Sequence, residues 1–215
     1  MDLKKYNRRS FLTVSTAGFF ACQGCGARKD SDPTSNDGNS TSSSPEEKPD
    51  PNEGMSRKTI LTMLDQRVDY YMNISHHCAQ TCFLALSEQF GKESPEVVKA
   101  LTPVPGIAET GNTCGVIIGS LMAMGLIFGR DDLADWEKYR SSLKPAGEFV
   151  GKFKARYGSL ACGDIIEKEF GRRFDLLDPE QHKEFVLAGA TAKCSTVTST
   201  GARIAAEIIL DYLGK

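Results

Sequence analysis

The sequence lacks several features that mark common classes of protein. Its 26 Lys and Arg residues are balanced by 28 Asp and Glu residues, and the two signs are interspersed along the chain. Proteins that bind nucleic acid usually carry a basic stripe, so nucleic acid is not an expected partner. Gly-rich phosphate loops, metalloprotease helix motifs and nucleophile elbows are absent as well. Their absence removes the commonest motif-based classes of enzyme.

Runs of alternating apolar and polar residues, the pattern of half-buried strands, are also missing. Helical spacing and helical punctuation occur instead in almost every segment after residue 55. The sequence therefore predicts an all-α fold, in a single compact multi-helix domain over residues 56–215. We expect helices over residues 56–73, 77–90, a short stretch after Pro95, 113–129, 131–143, 145–157, 162–170, 179–192 and 194–213.

No apolar run near the start of the chain is long enough to span a membrane, which takes about twenty residues. Residues 1–26 have a basic beginning and a short, weakly apolar core, and residues 7–12, Asn-Arg-Arg-Ser-Phe-Leu, have the form of a twin-arginine export signal. We therefore expect an exported, periplasmic protein. Cys22 stands where a lipoprotein would be cleaved and lipidated, so anchoring to the membrane by lipid is one alternative. Removal of Cys22 with the leader is the other.

The stretch after this leader is almost wholly polar. Residues 27–54 are nearly all Ser, Thr, Asn, Asp, Glu, Lys, Pro and Gly. Because large apolar side chains are lacking, this stretch cannot anchor a core. We predict a signal segment over residues 1–26, a disordered linker over 27–55 and a folded domain over 56–215.

Five cysteines lie in the predicted domain, namely Cys78, Cys82, Cys114, Cys162 and Cys194. An odd number of thiols cannot all pair as disulfides, and the twin-arginine pathway carries folded proteins whose cofactor is already installed. Thiolates held for a metal are therefore the first hypothesis. Cys114, Cys162 and Cys194 are each predicted at or near a helix start, where free N–H groups and the helix dipole lower the pKa of a thiol.

The residues around these thiols leave alternatives open. Glycines at positions 111, 115 and 119 allow a ligand or a neighbouring helix to approach Cys114 closely. Cys78 and Cys82 lie one helical turn apart on the same face, so either could reach a metal. Taken singly, each cysteine could instead be a small buried hydrophobe.

The histidines and the choice of metal leave alternatives open as well. His76 and His77 could bind a metal or cap a helix, and capping is the simpler interpretation. His182 lies among charged residues and is predicted to be solvated. Zinc suits four cysteines, although the paired C-x-x-C sequences of structural zinc sites are absent, and a thiol–disulfide protein without metal is a further alternative. The sequence holds no C-x-x-C-H motif, so covalent haem is not expected.

The segments that carry the cysteines resemble a known family. They are His-Cys-Ala-Gln from His77, Gly-Asn-Thr-Cys-Gly-Val-Ile-Ile-Gly from Gly111, Cys-Gly-Asp from Cys162, and Cys194. In this order they resemble the C_GCAxxG_C_C family of redox-active proteins. Residues 100–106 and 124–130 are further similar to the matching domain of the split-Soret cytochromes c.

The resemblance implies a helical electron-transfer domain that binds an iron–sulfur cluster, of the 2Fe-2S kind, through Cys78, Cys114, Cys162 and Cys194. Cys82 lies outside the family pattern and is the alternative ligand. A redox partner protein is implied, and the split-Soret proteins add the expectation of a homodimer. We accordingly expect an electron-transfer protein rather than a catalyst with its own substrate.

Overall fold

The structure is a computed structural model that describes residues 49–215. Within these residues the chain forms eight α-helices and one isolated antiparallel bridge, Thr113 to Ala161, which confirms the predicted all-α fold. The predicted signal segment, Cys22 and residues 27–48 of the predicted linker lie outside the described residues. The helices are α1 Arg57–Ser75, α2 Cys78–Gln89, α3 Pro95–Ala100, α4 Gly115–Phe128, α5 Trp136–Tyr157, α6 Cys162–Phe170, α7 Pro179–Leu187 and α8 Ala190–Tyr212.

Helix α1 begins and ends at local signals in the sequence. The Ser56 hydroxyl accepts a hydrogen bond from the backbone N–H of Thr59 at 3.1 Å, as a helix N-cap does. The helix ends at Ser75, and the next residue, His76, takes a left-handed conformation with φ 50°. Its buried residues recur every four positions and form one apolar stripe: Ile60, Leu64, Val68 and Met72.

Just before α1, Asn52 is buried against the end of α2. Its side-chain amide donates a hydrogen bond to the backbone oxygen of Gln89 at 2.7 Å, and the Gln89 amide donates to Asn52 Oδ1 at 2.6 Å. Asn52 is only 3% exposed. Because this reciprocal pair satisfies two buried amides, it fixes the chain ahead of α1.

The core forms where α2 packs against α1, α4 and α8, with α5 covering α4 and α8. Glycines set the spacing of these helices. A Cβ atom on Gly119 would lie 2.3 Å from the backbone oxygen of Ala79, and one on Gly201 would lie 2.3 Å from Val116 Cγ1. The predicted close approach at Gly119 is therefore confirmed. Although α4 is apolar along its whole length, no helix within residues 49–215 is long and apolar enough to cross a membrane.

The expected break at Pro145 is wrong, because a single helix, α5, runs through it. Asp135 caps this helix by accepting the N–H of Lys138 at 2.7 Å, so it starts later than the predicted residue 131. Proline removes one helical hydrogen bond. That loss is tolerated here because Pro145 is buried and the following turns bury a large aromatic stripe of Phe149, Phe153 and Tyr157.

The predicted boundary between the last two helices is also wrong. Helix α7 ends at Leu187, and Gly189, with φ 88°, reverses the chain so that α8 begins at Ala190. A left-handed conformation is easy for glycine, which makes Gly189 the natural break. Cys194 consequently lies on the second turn of α8 and not at a helix start.

Candidate functional site

Four cysteines approach one another where the ends of α2, α4 and α6 meet α8. Cys78 is the first residue of α2, Cys114 caps α4, and Cys162 is the first residue of α6. Cys78, Cys162 and Cys194 line a single cavity of about 280 Å³. The Cys114 thiol is hydrogen bonded to the Cys78 sulfur. Tertiary structure thus gathers thiols that are widely separated in the sequence.

Backbone hydrogen bonds tie the Cys114 segment to the Cys162 segment. The N–H of Cys114 donates to Leu160 O at 2.9 Å, and the N–H of Cys162 donates to Asn112 O at 2.6 Å. Gly106 packs over the second of these cysteines, because a Cβ there would lie 3.3 Å from Cys162 Sγ. The two segments therefore hold their sulfurs in a fixed relation that does not depend on long side chains.

The sulfur of Cys78 is the electrostatic centre of the group. A hydrogen bond from the Cys114 thiol lowers the pKa of Cys78, and backbone N–H groups of Ala79 and Gly115 add to the effect against the opposing influence of burial. Gly115 can come this close because it has no side chain: a Cβ there would lie 2.6 Å from the sulfur. Negative charge is thus favoured at Cys78 first.

The other three thiols of this group are held in their neutral form. The hydrogen bond to Cys78, followed by burial, raises the pKa of Cys114. Burial, with the nearby Cys78 charge, raises the pKa of Cys162 and of Cys194 to about 12. The expectation that helix starts would lower the pKa at Cys114, Cys162 and Cys194 is therefore wrong. Burial and the shared negative charge outweigh the helix dipole.

Cys82 occupies a different environment from its neighbour one turn earlier. It is fully buried, lies 3.0 Å from Ser120 Oγ and takes no part in lining the cavity. Burial raises the pKa of Cys82 to about 12. Cys82 is therefore a core thiol, one turn beyond Cys78 on the same face of α2, and it lies outside the cavity lining.

The two histidines beside Cys78 have structural roles. His77 Nδ1 accepts the N–H of Gln80 at 3.1 Å, so Nε2 carries the proton and donates to Thr102 O at 3.0 Å. The predicted helix cap is confirmed, and both ring nitrogens of His77 are engaged. His76 closes α1, and its Nδ1 lies 3.0 Å from the hydroxyl of Thr191.

Two polar residues of the cavity were not anticipated as parts of a site. His182 lines the cavity and is half-buried, so the prediction that it is solvated on a charged face is wrong. It lies one turn before Phe185 on α7, and that spacing could have placed it on the inward face. Glu109 also lines the cavity, and no local pattern in the sequence indicates it.

The thiols do not form a closed site for a single ion. Within residues 49–215, no group of three or more His, Cys, Asp or Glu side chains is arranged to hold one metal ion. Structural zinc needs four donors around one point. The arrangement is instead a hydrogen-bonded pair, Cys78 and Cys114, with Cys162 and Cys194 beside it around a cavity. Such a group can undergo thiol oxidation or offer thiolates in two pairs.

Residues 76–208 match the family model described as "Putative redox-active protein (C_GCAxxG_C_C)". The chain belongs to this family. The match runs from just before α2 into α8, and so includes all five cysteines of the domain. Membership in the C_GCAxxG_C_C family supports a redox role for the thiols described above. Curated proteins and solved structures yield no match to the chain.

Proposed function

We propose that this member of the C_GCAxxG_C_C family is an exported electron-transfer protein that binds a 2Fe-2S cluster through Cys78, Cys114, Cys162 and Cys194. The observation that carries the proposal is that Cys78, Cys162 and Cys194 line one cavity and that Cys114 lies beside Cys78. A core thiol needs no thiol neighbours. Four thiols that lie close together indicate a shared chemical role, and membership in the redox-active family supports such a role.

The donor set suits a two-iron cluster better than one zinc ion. In a 2Fe-2S cluster each iron takes two cysteines, so the four sulfurs need not surround one point. The Cys78 and Cys114 sulfurs are already adjacent, and Cys162 and Cys194 line the cavity next to Cys78. Gly106 and Gly115 let the backbone approach two of the sulfurs closely, because a Cβ on either residue would crowd Cys162 or Cys78.

When bound, the cluster would supply one-electron oxidation and reduction. The residues around the cysteines would set the reduction potential of the cluster. The N–H groups of Ala79 and Gly115 already point at the Cys78 sulfur, and hydrogen bonds of this kind stabilise the more negative, reduced state. Burial of Cys114, which is only 5% exposed, would exclude water from that side.

Anaerobic purification of the full chain tests the proposal. We expect visible absorption bands, with about two irons and two acid-labile sulfides per chain. Stoichiometric zinc without iron, or a colourless protein free of metal, would contradict it. Cluster reconstitution with iron and sulfide should be tried before a colourless preparation is accepted as the native form.

Single cysteine variants identify the ligands, and Cys82 provides a matched control on the same helix. Cys78→Ala, Cys114→Ala, Cys162→Ala and Cys194→Ala are each expected to lose most bound iron. Cys82→Ala is expected to retain it, because the Cys82 sulfur faces Ser120 in the core. Loss of iron in Cys82→Ala with retention in Cys78→Ala would reverse the assignment of these two residues.

A thiol–disulfide function without metal is the second candidate, and the hydrogen-bonded Cys78 and Cys114 pair favours it. A thiolate beside a neutral thiol is the arrangement of many dithiol proteins. In this reaction the two thiols would form one disulfide and pass two electrons and two protons to a disulfide partner, which becomes two thiols. A metal-free protein whose free thiol count rises by two on reduction would favour this function.

The proposed export rests on the twin-arginine sequence of residues 7–12 and is tested separately. Replacing Arg8 and Arg9 together by Lys should retain the precursor in the cytoplasm. Lipidation at Cys22 would place the mature protein in the membrane fraction, and Cys22→Ala would then release it into the soluble periplasmic fraction. A soluble periplasmic wild type would contradict the lipid anchor alone.

A further inference from the structure

The cavity beside the cysteines extends to walls that the sulfurs do not form. Three cysteines line one part of it, and the remaining walls are mainly apolar: Met72, Ile166, Leu176, Phe185 and Val186. Electron transfer to a protein partner requires only a short path to the surface and no apolar cavity. Apolar cavities with a few polar groups are instead the usual sites for small organic molecules.

Polar groups with free hydrogen-bonding capacity reach the same cavity. Within residues 49–215, the His182 imidazole makes no hydrogen bond, although it is half-buried. His76 uses Nδ1 for Thr191, which leaves Nε2 available. The Glu109 carboxylate adds an acceptor at the wall. These groups can orient a ligand that carries polar atoms on an apolar frame.

One wall of the cavity is made by a strained segment of backbone. Gly106, Ile107, Ala108 and Glu109 have consecutive positive φ values of 52°, 52°, 53° and 62°. For residues other than glycine this left-handed conformation costs about 1–2 kcal/mol each. The turn positions Gly106 against Cys162 and Glu109 on the cavity wall. Backbone strain of this kind is concentrated at functional sites, where a precise wall is needed.

We propose that this cavity binds a small quinone that exchanges electrons with the cysteine site, an inference that rests on the proposed redox function. The ring of a quinone suits the apolar walls, and its carbonyl oxygens can accept hydrogen bonds from His182 and His76. The cavity measures about 280 Å³, part of which a bound cluster would fill, so it selects a ligand of one ring, because pockets for drug-sized ligands measure about 300–1,000 Å³.

The electrons and protons balance in a simple way. A quinone becomes a hydroquinone by taking up two electrons and two protons, and the protons come from solvent. A reduced 2Fe-2S cluster held by the four cysteines would supply one electron, so two protein molecules would be oxidised for each quinone. The protein itself is reduced beforehand by a one-electron donor, for which dithionite serves in the test.

Isothermal titration calorimetry with duroquinone tests binding to the iron-loaded full chain and to the metal-free chain. Duroquinone has every ring carbon substituted, which prevents addition of the thiols. Saturable binding of one molecule per chain is expected. Val186→Trp should weaken it at least about tenfold by filling the cavity. Leu187→Trp is the matched control, because Leu187 is 78% exposed and does not line the cavity.

A second variant checks the polar contact. His182→Ala should weaken binding about fivefold through loss of one hydrogen bond, with the iron content unchanged. Absence of saturable binding, or equal affinity in Val186→Trp, His182→Ala and wild type, would overturn the proposal. If the chain binds duroquinone but takes up no iron under any condition, the quinone site would be supported and the proposed cluster would be contradicted. If duroquinone reoxidises the reduced protein anaerobically, with two clusters oxidised for each quinone, both the quinone site and the cluster would be supported.

Discussion

Helix α2 belongs to two regions that differ sharply in packing. Its second turn lies in the helical core, where Cys82, Phe83 and Leu86 are completely buried. Its first turn lies at the cavity, where Cys78 borders open volume and the sulfur receives backbone N–H groups. Four residues of sequence thus separate a thiol that packs from a thiol with reactive surroundings. The position of a cysteine relative to the core, and not the residue type alone, therefore decides whether its thiol packs or faces the cavity.

The same contrast holds for the rest of each region. The core region, formed by α1, α2, α4, α5 and α8, brings backbones into contact at Gly119 and Gly201. The cavity region, formed by residues 103–114 and 162–187, contributes a second, smaller cluster of apolar residues and contains the left-handed turn at residues 106–109. We infer that stability resides chiefly in the first region and chemistry in the second.

The largest expected effect is the loss of a core aromatic ring. Phe153→Ala should lower the free energy of unfolding by about 3–5 kcal/mol, because Phe153 is completely buried between Phe149, Tyr157 and Gly201. Urea denaturation measures the change. Iron content at low temperature should remain that of the wild type, since the ring lies outside the cavity lining.

Phe174→Ala in the cavity region is the matched comparison. Phe174 is half-buried and packs against Phe170 and Phe185, with ring centroids 5.8 and 5.3 Å away. We expect a cost in the free energy of unfolding of about 1–2 kcal/mol, because Phe174 is only partly buried and belongs to the smaller apolar cluster. An equal loss of unfolding free energy in Phe174→Ala and Phe153→Ala would contradict the inference that the core region contributes more stability than the cavity region.

A second prediction concerns the close contact of α2 and α4. Gly119→Ala should cost about 3 kcal/mol, at the upper end for overpacking, because the new Cβ would meet the backbone oxygen of Ala79 at 2.3 Å. Gly125→Ala on the same helix is the control. No atom lies within 4 Å of a Cβ there, so this change should stabilise the protein by about 0.5–1 kcal/mol. Equal urea midpoints for the two variants would contradict the contact.

Much of this core was predictable from the sequence because its causes are local. Ser56 and Ser94 cap their helices through their own hydroxyl groups, and the four-residue spacing of Ile60, Leu64 and Val68 defines a buried face. The glycine spacing around Cys114 likewise indicated a close approach. Each of these effects depends on neighbours within one or two helical turns, so the sequence alone exposes them.

Other features of the molecule were predicted less well because their causes are tertiary. Pro145 is tolerated in α5 only because packing of the aromatic stripe repays the missing hydrogen bond. The pKa of Cys162 and Cys194 depends on burial by residues far along the chain, which outweighs the local helix dipole. His182 was misjudged because its charged neighbours in sequence say nothing of the apolar walls opposite α7. The four cysteines as cofactor ligands stay a prediction.

A third prediction uses pH to compare ion pairs of the two regions. Burial alone would raise the pKa of Asp65, but hydrogen bonds from Arg203 and Ser199 and the Arg203 charge lower it below its ordinary value of 3.8. Arg203 Nε lies 2.8 Å from Asp65 Oδ1, and the pair joins α1 to α8. Because the pKa is lower in the folded state, the pair stabilises the protein above about pH 4. That contribution is lost as the pH falls.

Asp65→Asn should therefore cost about 1 kcal/mol at neutral pH and nothing at the acid end, as expected for a partly exposed ion pair. Urea denaturation at several pH values measures the difference. Asp164→Asn in the cavity region is the control. Hydrogen bonding by Ser159 and the charge of Arg173 lower the pKa of Asp164 too, but this carboxylate is more exposed. Because Asp164 is more exposed, its ion pair should stabilise the protein less than that of Asp65. A larger pH-dependent loss of unfolding free energy in Asp164→Asn than in Asp65→Asn would contradict this order.

The smallest expected effect has the opposite sign and concerns the strained turn. Ala108 is exposed and has φ 53°, so Ala108→Gly should remove strain of about 1–2 kcal/mol. Glycine also makes the unfolded chain more flexible, which costs about 0.4–1 kcal/mol. The net result should be a gain of about 0.5–1 kcal/mol in the free energy of unfolding.

Ala188→Gly provides the control for this gain, because Ala188 is exposed at the end of α7 with φ −73°, an ordinary conformation for alanine. Here no strain is removed, and glycine only makes the unfolded chain more flexible. The free energy of unfolding should therefore fall by about 0.4–1 kcal/mol. Urea denaturation of the two variants in parallel isolates the strain from the general effect of glycine. A loss of similar size in both would mean that residues 106–109 are relaxed in solution. The cavity wall at Glu109 would then lack the fixed geometry that distinguishes this region from the core.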